Sequence, residues 1–376
     1  MIRVLTYKEI DRGEWSRLVQ TSATGTWFQT PEAYEFFASQ PKLFKPFVVG
    51  VENDQSPMTN DKSRLRAICV GYVTVERNPI KQYFTRRAII IGGPVIANDA
   101  TSEEVETLMI AVRNQFKILD LRFKILNSPI FIETRNFNDY SRWKGAFEKA
   151  GFEYKRHLNF HVDCTDKEKM WERLSENRKR QVRHVNGDFK FKISFPFGTI
   201  TSNLRFDNLS VTEQDVREWY SILSELYRKK VKTPLWPVEF FIEAYRQGIG
   251  QFMLVRHEGK IIGGSMVVVL KSEGVSELAN EGCVYEWFEC GLNAQYKEQY
   301  PSVMATYSGM CFAAEQGIGR YDMMGAGVPD VPYGVRDFKA EFGGQLVEQG
   351  RFVCVREPIL YKIGVLAVKM MKRMRG

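Results

Sequence analysis

Histidine is scarce in this chain, with four residues, at positions 157, 161, 184 and 257, among 376. That leaves little material for a histidine-dependent catalytic triad. The sequence has no G-x-S-x-G, no G-x-x-x-x-G-K-[ST] and no H-E-x-x-H, so three common signatures of nucleophile, phosphate loop and helical zinc site are missing. His157 and His161 share one strand face, with Cys164 on the other parity. Strand-face histidines are commonly just solvated, so no metal site is expected there. The six cysteines (69, 164, 283, 290, 311 and 354) form no C-x-x-C pair and lie mostly in apolar runs. They read as reduced core thiols of a cytoplasmic protein. Long hydrophobic runs are missing too. Residues 88–97 and 261–270 reach about half of the ~20 residues that a membrane helix needs. A polar helix follows the first six residues, where a secretory leader would carry its apolar core.

What is present points to a large, well-packed α/β protein. Apolar residues make up 44% of the chain and aromatics 13%, with 26 Phe and 16 Tyr. These suit big cores or aromatic-lined clefts. At this length two domains are expected. The net charge of +8 fits an anionic partner such as nucleic acid, a phosphorylated precursor or a membrane surface. On charge alone, plain solubility is the better explanation.

Taken in order, residues 2–6 read as a strand and 14–20 as the end of an amphipathic helix. Thr30 and Pro31 open a second helix. Residues 47–51 and 65–76 alternate like a hairpin around a polar loop at 53–64, and 88–97 is a buried strand. Thr101 and Glu104 form a capping box before a helix. A strand at 121–126, a helix through Lys149 and a strand over 151–164 complete the first half. Thr165 and Glu168 read as a second capping box, opening one basic helix, and a strand follows at 189–195 with an irregular stretch at 196–209. Helices at 212–230 and 238–247 precede a hairpin of 252–257 and 260–270 turning at Glu258-Gly259. A strand at 275–288 and a helix at 302–316 lead into RYDMMGAGVPDVPYGVRDFKAEFGG, residues 320–344. This last stretch reads as strand, glycine turn, loop and a helix ended by Gly343-Gly344. A single strand over 345–355 and a basic helix close the chain.

One order of elements occurs twice. The first half ends in AFEKAGFEY (146–154) plus a strand, and the second in DFKAEFGGQL (337–346) plus a strand. Hairpin, strand, helix and strand precede each. Helix, glycine and outgoing strand are also how folds of the GNAT acyltransferase type finish. The chain therefore reads as two copies of one α/β unit with mixed sheets: residues 1–163, then 164–349, with 350–376 packing back on the first. Lys339, beside the aromatic Phe338, stands where the first copy has Glu148 or Lys149.

Charge clusters are ambiguous by themselves. Arg178, Lys179, Arg180 and Arg183 lie on one helix and could grip phosphates, yet Glu172, Glu176 and Asp188 balance them. Arg228 to Lys232 ends another helix, where cations are ordinary capping electrostatics. Tyr285 and Trp287 share a strand face that lines either a cleft or the core. The closing VLAVKMMKRMRG is a basic amphipathic helix of the kind that rests on an anionic membrane surface; frayed basic termini look the same. A CoA-binding Q/R-x-x-G-x-G/A would place backbone N–H groups on a pyrophosphate. The nearest string, Gln316 to Tyr321, lacks the last small residue and leaves a helix instead of entering one.

Five pieces together resemble one family. They are Gln29-Thr-Pro, the R-K-R-x-x-R helix, the Tyr321-Asp322…Gly325 strand, Phe338-Lys339…Phe342-Gly343, and Pro358…Tyr361. In order and spacing they resemble the FemABX-like peptidoglycan-bridge aminoacyltransferases, over about residues 12–365. That resemblance implies tandem GNAT-like acyl-N-acyltransferase domains. It also implies transfer of an amino acid from aminoacyl-tRNA to an amine on a UDP- or lipid-linked muropeptide precursor, with no cofactor. Lys339 would then lie at the acyl-transfer site. Phe338, Arg228, Lys229, Tyr285, Trp287 and Asp322 would bind substrate, and Arg178, Arg180 and Arg183 would hold tRNA. Peripheral contact with the inner membrane surface would follow from a lipid-linked acceptor. The tyrosine-glycine-serine strand motif of the family is replaced here by Glu286-Trp-Phe-Glu-Cys-Gly291. An acyl-CoA-dependent N-acyltransferase of envelope synthesis and a non-catalytic RNA-binding protein are the alternatives.

Overall fold

The computed structural model describes residues 1–54, 64–76, 78–116, 128–187, 191–194, 206–207, 211–271 and 282–375. The expected strand at 121–126 and the loop at 196–205 lie outside these, as does the start of the strand at 275–288. The described chain divides into two units. One holds Met1–His157 with Gln349–Gly376, the other Leu158–Ser272 with Glu281–Glu348.

The first unit runs β1 (Ile2–Thr6), α1 (Arg12–Thr21), α2 (Pro31–Ala38), β2 (Phe44–Asn53), β3 (Leu65–Thr74), α3 (Pro79–Thr85), β4 (Ala88–Gly92), β5 (Val95–Ile96), α4 (Ser102–Asn114), β6 (Phe131–Asn136), α5 (Lys144–Lys149) and β7 (Glu153–Lys155). The second runs β8 (Leu158–Asp163), α6 (Lys167–Arg173), α7 (Glu176–Asn186), β9 (Phe191–Ser194), β10 (Phe206–Asp207), α8 (Glu213–Leu226), α9 (Val238–Arg246), β11 (Gln251–His257), β12 (Lys260–Leu270), β13 (Cys283–Gly291), α10 (Pro301–Glu315), β14 (Arg320–Gly325), α11 (Gly334–Ala340) and β15 (Gln345–Glu348). β16 (Arg351–Val355) and α12 (Pro358–Arg375) return to the first.

Each unit is built on a mixed sheet. The first has the order β1-β2-β3-β4-β6-β16-β7, with β5 on β3; the second is β10-β9-β11-β12-β13-β14-β8-β15. In the first, β3 and β4 pair at only two positions, Tyr72↔Ile89 and Val73↔Ala88. Gln29 bridges them beyond that point. Its fully buried amide donates to Val70 O at 2.8 Å and Ile91 O at 2.9 Å and accepts from Val70 N at 2.7 Å. A buried amide keeps its place only when so satisfied, which accounts for glutamine in the Gln-Thr-Pro segment. Thr30 accepts from Ala33 N and Pro31 opens α2, while Thr101 and Glu104 complete the capping box of α4.

Four expectations are corrected by local chemistry. Residues 88–97 are two strands, because Gly92 and Gly93 adopt left-handed φ of 84° and 79°. Residues 345–355 are also two, β15 in one sheet and β16 in the other. The break falls at Gly350 (φ 66°), where the Tyr154 ring leaves no room for a Cβ. The basic helix is likewise two, since Ser175 is extended and caps α7 by accepting from Arg178 N at 3.1 Å. Asp166, rather than Thr165, caps α6, accepting from Glu168 and Lys169 N–H groups. The expected hairpin is present, with Glu258 (φ 51°) and Gly259 (φ 79°) as its two turn residues.

The repeated ending is visible in both units. α5 stops at Gly151 (φ 88°) before β7, and α11 stops at Gly343 (φ 74°) before β15. In the second unit α10 has no exposed polar face and is buried over nearly its length. It forms the core that backs β12 and β13, as a helix without a polar face must. Among the described residues no helix is long and apolar enough to cross a membrane.

Candidate active site

The two parallel central strands of the second unit part company early. β13 and β14 pair at Cys283↔Arg320, Val284↔Tyr321 and Tyr285↔Asp322, and no further. Two local devices then shape the gap. The first is a bulge in β13: Glu286 faces Val267 and Phe288 faces Met266, so the register steps past Trp287. An extra residue resets side-chain alternation. It puts Glu286 and Glu289, three apart, on the same face. Both look toward α10, where Thr306 donates to Glu286 Oε1 at 2.7 Å and the Ser302 hydroxyl acts to lower the pKa of Glu289.

The second device is the end of β14. Asp322 is fully buried, and its Oδ1 accepts the Met324 N–H at 2.6 Å. That bond holds Met324 in a left-handed conformation (φ 58°), which costs a non-glycine residue about 1 kcal/mol or more. The reversal turns successive carbonyls the same way. Lys339 Nζ, from α11, donates to Met323 O, to Gly325 O at 2.9 Å, and reaches Met324 O at 3.5 Å. An ammonium has three donors, and three backbone oxygens meet them.

Electrostatics tie the two devices together. Burial lowers the Lys339 pKa, while the carboxylates of Glu286, Asp322 and Glu289 oppose that shift. Burial raises Glu286, against Lys339 and the hydroxyls of Thr306 and Tyr321 (2.9 Å). Glu289 is pushed up to about 8 by burial and then by the charge of Glu286. Its Oε1 is enclosed with no protein partner. Asp322 Oδ2 lies 3.2 Å from His161 Nε2 of β8, although the angle is too poor for a hydrogen bond. Among the described residues no group of three or more His, Cys, Asp or Glu is arranged to hold a metal.

Beside this cluster lies a cavity of about 290 Å³. It is lined by Arg178 and Gln181 of α7, by Asn293, Tyr300 and Ser302, and by Phe338. Asn293 and Ser302 brace each other, Nδ2 to Oγ at 2.7 Å and Ser302 N to Oδ1 at 3.1 Å.

The structure thus gathers Lys339, Phe338, Asp322 and Arg178. Arg178 is buried, with its guanidinium 4.6 Å over Phe338 and 5.0 Å over Phe342. It donates to Gln181 Oε1 at 2.7 Å and Phe338 O at 3.4 Å, and lies 3.6 Å from Glu341. Arg180 and Arg183 are exposed on α7, the former donating to Asn177, the latter over Trp171. Arg228 and Lys229 sit exposed on a π-helical turn, Tyr227–Val231, and both pair with Glu225. Trp287, displaced by the bulge, packs on Trp236 and Phe240 at 5.6 and 5.4 Å. Tyr285 is fully buried beside Cys283. Glu286, Glu289, Thr306 and Ser302 are what reasoning from the sequence did not single out. Two acids inside an apolar strand were the available signal.

A model of the FemAB family matches residues 276–369, the stretch that carries β13, α10, Lys339 and the first two-thirds of the last helix. No curated protein matches the chain by sequence. Among solved structures, the crystal structure of FemX is 11% identical with a TM-score of 0.66, over 96% of this chain and 99% of that one. L-PGS from Bacillus licheniformis is 10% identical with a TM-score of 0.51, over 96% and 97%. A conserved protein of unknown function from Bacteroides thetaiotaomicron is 9% identical with a TM-score of 0.52, over 95% and 100%. At such identities the likeness is one of fold: two α/β units with mixed sheets in tandem.

Proposed function

We propose that this FemABX-like acyltransferase moves an amino acid from aminoacyl-tRNA to an amine of a UDP- or lipid-linked muropeptide precursor. The observation that carries the reading is the seating of Lys339. It is a half-buried cation seated on backbone carbonyls, inside the FemAB-matching stretch, at the point where β13 and β14 separate.

The chemistry asks little of the protein beyond position and charge. The acceptor nitrogen attacks the ester carbonyl, the N–C bond forms, and the C–O bond to the tRNA ribose breaks. The donor is already activated, so placing the two groups and stabilising the oxyanion supply most of the rate. Lys339 supplies positive charge near the developing oxyanion or the tRNA 3′ end. The attacking nitrogen must also shed a proton. Glu289, whose pKa of about 8 is matched to proton transfer near neutral pH, is the carboxyl proposed to accept it, and the leaving ribose oxygen takes up a proton in turn. Phe338 and Arg178 give the cavity an aromatic and cationic side for the precursor. Arg180 and Arg183, outward on α7, suit tRNA phosphates.

The donor is tested by thermal-shift titration with charged tRNA against acyl-CoA esters. The reading expects stabilisation by charged tRNA and none by CoA esters. The opposite pattern would replace it with a CoA-dependent transferase.

A further inference from the structure

We infer that the last helix of the chain, α12, together with α3 forms a surface that lies flat on an anionic phospholipid bilayer.

Ile359, Ile363, Leu366 and Met370 are spaced by four, three and four residues, which places them on one face of a helix. All four are solvent-exposed, at 76, 45, 59 and 62%. The helix is not simply loose, because its other side is docked: the Tyr361 ring packs on Phe131 of β6 at 5.3 Å. The neighbouring helix extends the patch. α3 contacts α12 and exposes Ile80 at 72% and Phe84 at 45%, one turn apart. A contiguous apolar surface of this kind on a soluble unit marks an interaction site.

Charge identifies the partner. Residues 358–375 include Lys362, Lys369, Lys372, Arg373 and Arg375 and no Asp or Glu. Lys362 is exposed beside the apolar stripe. A second copy of this chain would bring the same all-basic segment against itself, and like charges across an interface disfavour pairing. An anionic lipid surface answers both features at once, accepting apolar side chains at the acyl boundary and cations at the headgroups. With five cations in 18 residues the helix lies on a bilayer and does not span one.

Binding, not catalysis, is the readout, so the result stands apart from the reaction proposed above. The full chain is floated with extruded vesicles of phosphatidylcholine alone and of phosphatidylcholine with an equal part of phosphatidylglycerol, in about 0.1 M salt. The expected result is at least tenfold tighter binding to the anionic vesicles, of the order that several basic residues give. The double variant Ile363→Glu/Leu366→Glu should lose about tenfold of that binding with no change in Tm. Because both side chains are exposed, the variant is expected to fold. Lys362→Glu tests the charge arm separately and should weaken only the anionic binding. Equal partitioning to both vesicles would overturn the inference. So would undiminished binding of the double variant, or a wild-type dimer that the double variant splits.

Discussion

At the scale of single residues, the site rests on a lysine whose charge the backbone holds in place. Asp322 fixes Met324, Met324 turns three carbonyls inward, and Lys339 fills them. Lys339→Ala removes both the cation and the partner of those carbonyls. Transfer under single-turnover conditions with saturating donor is expected to fall by about 10²-fold or more, the size of losing one preorganised electrostatic stabiliser of the transition state. An unchanged rate would remove Lys339 from the chemistry. Glu289 gives a pH test with a definite sign. Its folded pKa of about 8 stands above the ordinary carboxyl value of 4.5. The folded state therefore keeps a proton that the unfolded chain releases, and stability falls as pH rises between those two values. Glu289→Gln should flatten the decline of Tm across that window, and an unaltered slope would contradict the buried-acid description. Lys339 was legible from sequence because it sits in a short motif before paired glycines. The Glu286–Glu289 pair was not, because strict alternation sends residues three apart to opposite faces. Only the Trp287 bulge brings them together.

At the scale of elements, boundaries set by caps and glycines decide where the site forms. Gly343 ends α11 with φ 74°, and a Cβ there would stand 2.3 Å from the Arg173 carbonyl oxygen. Gly343→Ala is expected to cost upward of about 2 kcal/mol, read as a lowered denaturant midpoint. Gly334, at the start of the same helix, meets nothing within 4 Å. Gly334→Ala should be neutral or stabilising by about 0.5–1 kcal/mol. Equal effects of the two would mean that packing at Arg173 matters little. Helices and the 258–259 hairpin were readable from periodicity, capping residues and turn residues. The breaks at Ser175 and Gly350 were not. At the first, a serine cap interrupts an unbroken amphipathic pattern. At the second, continuous β-propensity hides a strand that ends in one sheet and resumes in the other.

At the scale of the whole molecule, the doubled architecture was legible, because AFEKAGFEY and DFKAEFGGQL mark the same helix–glycine–strand ending. What separated the copies was less so. Glu148 and Lys149, one of which stands where Lys339 does, are surface residues paired with Lys144 at 3.9 Å and Glu106 at 4.0 Å, whereas Lys339 is half-buried with its ammonium on backbone carbonyls. The basic helix divides in a similar way. Arg180 and Arg183 are exposed, so Arg180→Ala and Arg183→Ala should weaken tRNA binding, each reducing the salt slope by about one, with Tm unchanged. Arg178 is stacked between two phenylalanines, so Arg178→Ala should instead lower Tm. Equal effects of all three on binding and none on Tm would refute that division.

The proposed reaction meets its most direct test in one incubation. The protein is mixed with a pool of aminoacyl-tRNAs and with UDP- and lipid-linked muropeptide precursors, and the precursors are read by mass spectrometry. The account predicts a precursor heavier by one amino-acid residue with wild-type protein and none with Lys339→Ala. An unmodified precursor with charged tRNA, alongside acylation when an acyl-CoA is supplied, would contradict it.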